Sequence, residues 1–244
     1  MAVTGVLRRT KLDDVFPPFL YEAYRSTIKR SPRQELIDLE EVTLTELTGP
    51  GEALARVSAI DADLTLNAGT GSPPLGERIV VTGRILDEDG RPLPRTLVEI
   101  WQSNASGRYR HRSDQGSFPL DPNFIGVGRT VTDEDGRYRF LTVKPGRYPW
   151  VAQGPNVWRP AHIHFSVFGE GARSRLITQM YFPGDSLQLT DAIFSAVPAA
   201  ARERLVSRFS PEKSISEFAL GYEFDIVLRG GSATPFEEWR EPVR

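Results

Sequence analysis

The chain has 244 residues, 39% of them hydrophobic and 25% charged, with a formal net charge of −2; this composition belongs to an ordinary folded protein long enough to bury a full core. It lacks the basic excess that binding a phosphate backbone needs, and no apolar run approaches the roughly 18 residues of a membrane span. Cysteine is absent, which excludes disulfides, thiolate metal sites and a cysteine nucleophile, so any metal must use His, Tyr, Asp or Glu.

Arg8, Arg9, Lys11, Asp13 and Asp14 interrupt any signal-peptide core, so a cytoplasmic protein is expected. Tyr21 to Leu39 have the spacing of a short helix broken near Pro32, and the stretch up to Pro74 shows little periodicity. Residues 1–75 therefore read as an arm. From Ile79 onward the pattern changes to short β-branched and aromatic runs. Strands are expected at Ile79–Leu86, Thr96–Trp101, Arg129–Thr132, Arg137–Thr142, Ala161–Phe168, Arg175–Phe182 and Tyr222–Arg229. The pair flanking Asp135-Gly136 has the spacing of a hairpin. Helix is expected only in the arm and at Ala199–Phe209. This pattern predicts an all-β, antiparallel sandwich over 76–230 with a tail at 231–244. The segment Asp87–Arg91 recurs as Asp133–Arg137; neither copy has the further oxygen ligands of a calcium loop, and both read as turns.

Two of the three histidines stand as His162-Ile163-His164 in one of these strands. Alternate strand residues share a face, so both imidazoles point one way and Ile163 the other. Alone, that spacing is open between a metal pair and two paired core or surface histidines. No carboxylate lies in Arg159–Ser166 to complete a 2-His-1-carboxylate triad. Tyr148, in the turn-rich Pro145–Trp150, and Tyr109, in Gly107–His111, are the conspicuous anionic donors. Ionising a tyrosine at pH 7 from a pKa of about 10 costs roughly 4 kcal/mol, which a bound cation can supply. Two phenolates and a hydroxide would balance a 3+ ion, with two neutral imidazoles completing five ligands. His111 has no strand pattern to aim it at the same ion; with Arg108, Arg110 and Arg112 it reads as a solvated basic loop. Trp101 and Trp158 read as core, and Arg159 as either a structural ion-pair partner or a site cation.

The ordered runs Val98–Gln102, Gly107–His111, Leu120–Phe124, Tyr148–Trp150, Trp158–Phe165, Leu176–Gln179 and Tyr222–Gly230 resemble the intradiol ring-cleaving dioxygenases. Within that family the resemblance is strongest to the beta-chain branch acting on protocatechuate, over most of Tyr24 to Gly230. The resemblance implies an Fe(3+) enzyme of aromatic catabolism that opens a catechol ring with dioxygen, here giving 3-carboxy-cis,cis-muconate. It further implies Tyr148 and His162 as axial ligands, Tyr109 and His164 as equatorial ones, and Tyr148 as a group that takes substrate protons. Arg159 would stabilise charge on the attacked carbon. Tyr24, Trp150, Gln179 and Ile193 would line the substrate pocket. A homologous alpha chain would close over the site, with the arm packed on it, in alpha-beta protomers of a larger oligomer. Catechol and hydroxyquinol dioxygenases share the four ligands but carry a large helical N-terminal domain. Rivals outside the family are a transthyretin-like binding sandwich and a zinc hydrolase built on His-x-His.

Overall fold

The computed structural model describes residues 15–18, 20–29, 56–112, 114, 116–150, 154, 156–168 and 175–236. Eleven strands are assigned among them: β1 (Arg78–Leu86), β2 (Leu97–Trp101), β3 (Val127–Val131), β4 (Arg137–Val143), β5 (Tyr148–Pro149), β6 (Trp158–Arg159), β7 (His162–Phe168), β8 (Arg175–Tyr181), β9 (Arg208–Phe209), β10 (Leu220–Glu223) and β11 (Ile226–Val227). One sheet is built on β1, which pairs antiparallel with β4 and parallel with β10 and β11, while β9 extends it beyond β10. A second has the order β3-β2-β7-β8, antiparallel throughout, and β5 and β6 form a separate two-stranded sheet beside these two large ones.

The two sheets pack face to face. Ile79, Val81 and Ile85 of β1 and Phe140 of β4 share one buried cluster with Val98 and Ile100 of β2 and Ile163, Phe165 and Val167 of β7. The expected sandwich is observed, and the first part of β4 alternates exposed and buried residues as a half-buried strand should. Strand β7 departs from that alternation because it is buried on both faces. Its odd-numbered residues enter the core, while His162, His164 and Ser166 occupy the opposite face.

The expected hairpin at Asp135-Gly136 does not form. β3 pairs with β2 and β4 with β1, so the turn carries the chain from one sheet to the other. Its local chemistry is as read: the Asp133 carboxylate accepts the amides of Asp135 and Arg137, and Asp87 does the same for Asp89 and Arg91.

The expected strand Tyr222–Arg229 is interrupted after Glu223. The Phe224 carbonyl lies where a side chain on Gly83 would be, 2.0 Å from an ideal Cβ. Only glycine permits this approach, and pairing with β1 resumes at Ile226.

Helix falls differently as well. α1 (Ala192–Ala196) precedes α2 (Ala199–Arg202), and the expected continuation to Phe209 gives way to a 3-10 turn at Glu203–Leu205 and then β9. Of the helix expected at Tyr21–Leu39, Arg25–Lys29 forms a 3-10 turn and residues 30–39 lie outside the described part. Leu64 is fully buried in the sandwich core, and Val15 and Phe16 pack in a second cluster with Tyr181 and Phe194. No described helix is long and apolar enough to cross a membrane.

Candidate metal centre

Strand register assembles the site on the outer face of the β3-β2-β7-β8 sheet. His164 lies opposite Trp101 on one side and Gln179 on the other, and His162 lies opposite Tyr181. Because cross-strand partners share a face, these five side chains, the two imidazoles with Trp101, Gln179 and Tyr181 beside them, form a single layer. His162 and His164 have ring centroids 4.9 Å apart, and the Trp101 indole lies flat on His164 at 4.8 Å with an interplanar angle of 7°.

Two loops bring the tyrosines. Tyr148 opens β5, which pairs with β6 so that Tyr148 stands opposite Arg159. Tyr109 follows β2 in a loop organised by Asn104. The Asn104 side chain accepts the amides of Ser106 and Arg108, and its backbone carbonyl accepts those of Gly107 and Gly146. One residue thus ties the Tyr109 loop to the Tyr148 loop. Gly107 makes their contact possible: its φ is +84°, and an ideal Cβ would stand 2.2 Å from the Arg147 carbonyl oxygen. Asp185 accepts from Arg147 Nε at 3.1 Å and from the Ala161 amide at 3.2 Å, joining the Tyr148 loop to the start of β7.

The four side chains converge. The Tyr109 ring is 5.5 Å from that of Tyr148 and 6.3 Å from that of His164, and Tyr148 is 5.6 Å from His162. The Tyr148 hydroxyl is 3.5 Å from His162 Nε2. His162 Nδ1 lies 2.7 Å from the Pro160 carbonyl, which can only accept. That nitrogen must carry the proton, so Nε2 turns a lone pair toward Tyr148.

Arg159 stands behind these donors, 2% exposed. Its Nη1 is 3.0 Å from His162 Nε2 and donates to the Tyr148 oxygen at 3.4 Å. Its other edge is bound bidentately by Asp191, with Nε to Oδ1 at 3.0 Å and Nη2 to Oδ2 at 2.9 Å. Nη2 also donates to Gln179 Oε1 and to the Tyr181 hydroxyl. Burial pushes the Tyr148 phenol above its ordinary pKa, and Arg159 pulls it only partly back. Burial, then the charges of Arg159 and His164, hold His162 well below the usual imidazole range. Burial also works against the charge on Arg159, but Tyr148, Asp191 and Tyr181 outweigh it and keep the guanidinium charged.

The remaining expected pocket residues are distributed around this centre. The Trp150 ring covers Arg159, with Cζ at 5.1 Å from its centroid, and Tyr24 packs on Trp150 at 5.3 Å. Ile193 is buried in α1, the helix that Asp191 caps. Trp158 is not core: it is 39% exposed and packs on Phe118. Trp101 is half-buried and serves the His164 stack. Arg110, His111 and Arg112 are exposed, as expected of a solvated loop, whereas Arg108 is bound by Asp114. Sequence reasoning missed Asp191, Tyr181 and Asn104. Tyr181 carried a legible signal, since it lies two residues past Gln179 and therefore shares its strand face. Asp191 showed only the mark of a helix cap, and nothing local links it to an arginine 32 positions earlier.

Comparison with known proteins bears on the same layer. Residues 48–230 match the family model described as Dioxygenase. The chain belongs to the intradiol dioxygenase family. Residues 11–41 also match the model for the N terminus of the protocatechuate 3,4-dioxygenase beta subunit. As an intradiol dioxygenase, the chain is 57% identical over 221 residues to the protocatechuate 3,4-dioxygenase beta chain of Burkholderia cepacia, covering 91% of this chain and 93% of that one. The solved structure of catechol 1,2-dioxygenase from an Acinetobacter strain is similar at a TM-score of 0.51 and 29% identity, over 70% of this chain and 58% of that one. For 3-chlorocatechol 1,2-dioxygenase from Rhodococcus opacus the TM-score is 0.53 at 23% identity, over 70% and 66%; that likeness concerns the fold.

Intradiol dioxygenases carry non-haem iron, and the donor set here fits such an ion. No group of three His, Cys, Asp or Glu suited to a metal exists among the described residues; the donors that converge here are two phenols and two imidazoles. Two phenols and two imidazoles, one of them with its lone pair turned inward by Pro160, are hard anionic and neutral donors suited to a trivalent ion. The phenol of Tyr148 stays protonated in this buried setting unless a cation offsets the cost of its ionisation.

Proposed function

We propose that this chain is the iron-carrying beta subunit of an enzyme that opens protocatechuate between its two hydroxyl-bearing carbons. One dioxygen is consumed, both of its atoms enter the product, and 3-carboxy-cis,cis-muconate is formed. The convergence of Tyr109, Tyr148, His162 and His164 beside Arg159 carries this reading. The match of residues 11–41 to a protocatechuate-type N terminus favours that substrate over catechol. Residues 76–230 then form the catalytic unit and 231–244 a tail.

Tyr109, Tyr148, His162 and His164 would hold Fe(3+), which when bound supplies a Lewis-acidic centre for the two catechol oxygens and polarises the ring toward dioxygen. Tyr148 would have the part of a proton acceptor once a bound cation has ionised it: its oxygen is near both His162 Nε2 and Arg159 Nη1, and as the phenolate it could receive a proton from a catechol hydroxyl and become the neutral phenol. Arg159 presents a fixed positive charge to the ring, held in place before substrate arrives. Trp150 with Tyr24, Gln179 and Ile193 would form the walls that orient the ring and exclude water. Arg159 is committed to these contacts, so the substrate carboxylate needs a partner from elsewhere. A homologous alpha chain, packed against an arm formed by residues 1–75, would provide it.

Metal analysis with visible spectroscopy of the purified complex tests this reading. Iron near one per chain, tyrosinate-to-iron absorption, and a spectral change on anaerobic addition of protocatechuate are expected. Zinc at full occupancy, or normal protocatechuate cleavage by this chain expressed alone, would overturn the metal or the partner assignment respectively.

A further inference from the structure

We propose that Asp191 is a positioning residue of the ring-cleavage reaction, acting by aiming the guanidinium of Arg159. The inference rests on the functional reading above, and it concerns a residue outside the pocket walls.

Arg159 hangs from a two-residue strand, and four rotatable side-chain bonds separate its charge from the backbone. Something must select one orientation. Asp191, itself 1% exposed, takes up the whole Nε–Nη2 edge. A guanidinium held along one edge by a carboxylate is fixed in plane as well as in position. The edge left over is Nη1, and it is the one that faces Tyr148 and His162.

Asp191 is in turn held by hydrogen bonds through its backbone and its carboxylate. Its backbone amide donates to the Leu187 carbonyl at 2.9 Å, its carbonyl accepts from Ser195, and its Oδ2 accepts the Phe194 amide at 3.3 Å as the cap of α1. The Tyr181 hydroxyl, 2.9 Å from both Asp191 Oδ2 and Gln179 Oε1, closes the network. A helix start on one side and strand β8 on the other therefore define where the charge of Arg159 stands.

The competing explanation is a purely structural residue, a helix cap that also neutralises a buried cation. Asp191→Asn separates the two. Asparagine caps a helix as well as aspartate does and has nearly the same volume. Its amide nitrogen, however, would confront a guanidinium nitrogen, donor against donor, and the guanidinium must turn. In the iron-loaded enzyme purified with its partner chain, Asp191→Asn is expected to keep iron content and visible absorption. KM for protocatechuate should stay within about threefold while kcat per iron falls roughly 10- to 100-fold, a part of the loss seen when a transition-state contact is removed.

A kcat per iron equal to the parent's overturns the proposal. If Asp191→Asn does not fold, Asp191→Glu keeps the charge but moves it by one methylene. Retained colour with at least a tenfold lower kcat then supports the role, while parental kcat, or loss of colour, overturns it. A parent enzyme with neither iron colour nor ring cleavage defeats the functional reading and this inference with it. A fully active parent matched by Asp191→Asn defeats this inference alone.

Discussion

Trp101 and His164 lie face to face across the β2–β7 pair, the indole parallel to the imidazole to within 7°. A ring that binds metal through one nitrogen must not swing about its χ angles, and a flat aromatic neighbour restricts that motion. Trp101→Ala should therefore weaken iron retention about tenfold, within the range known for groups that orient metal ligands. Trp101→Phe should keep most of it. Competition with a chelator, followed by loss of visible absorption, measures the effect; equal loss rates in parent and Trp101→Ala would refute it.

Gly107→Ala should damage the centre while sparing the sandwich. A methyl group there meets the Arg147 carbonyl and demands an unfavourable positive φ, a strain of about 1–3 kcal/mol. The loops carrying Tyr109 and Tyr148 must separate. Far-ultraviolet circular dichroism should stay close to the parent's while iron content falls; full iron content in the variant would show that the loops tolerate separation.

Arg159→Ala would not report on chemistry alone. It strands the buried carboxylate of Asp191, and breaking such a pair costs about 3–5 kcal/mol. Arg159→Lys is the better variant because charge is kept and the two-pronged contact is lost. It should retain colour, show a lowered unfolding temperature, and turn over about 10²-fold more slowly per iron. Parental turnover per iron would rule out a role for the oriented guanidinium.

Acid should weaken the attachment of the turn at Ala59–Ala62. The Ser58 amide, above all, holds Asp61 below its ordinary pKa; burial opposes it, and Arg129 adds to the lowering. A carboxylate with a lowered folded-state pKa contributes stability above its unfolded value, and that contribution is lost as the pH falls through the folded value. The stability gap between the parent and Asp61→Asn should be present at pH 7 and close as the pH drops below about 4. A gap independent of pH over that range would refute the assignment.

Much of the centre was legible along the chain because its chemistry is local. His162 and His164 share a face through the two-residue strand period alone, while Tyr109 and Tyr148 stood out as donors through the absence of cysteine, the lack of a carboxylate in Arg159–Ser166 and the family resemblance. The strands themselves followed from β-branched runs between turn residues. Two features show why other parts were not legible. Asp135-Gly136 has hairpin spacing, yet the strands on either side pair with different sheets. A turn specifies a reversal of direction, whereas the partner of each strand depends on which apolar face it must bury.

The Arg159–Asp191 pair is the second. Residues 32 positions apart carry no mutual signal in sequence; they meet because β6 runs into β7 while the chain beyond β8 returns to start α1 beside it. Sequence by itself determined the donor types, the spacing of the histidines and the sandwich class, since these depend on residue chemistry and backbone periodicity. Only the tertiary structure decided how Trp101, Asn104, Tyr181 and Asp191 hold those donors. Their contacts arise from strand register and loop packing, which come into being when the two sheets close on a common core.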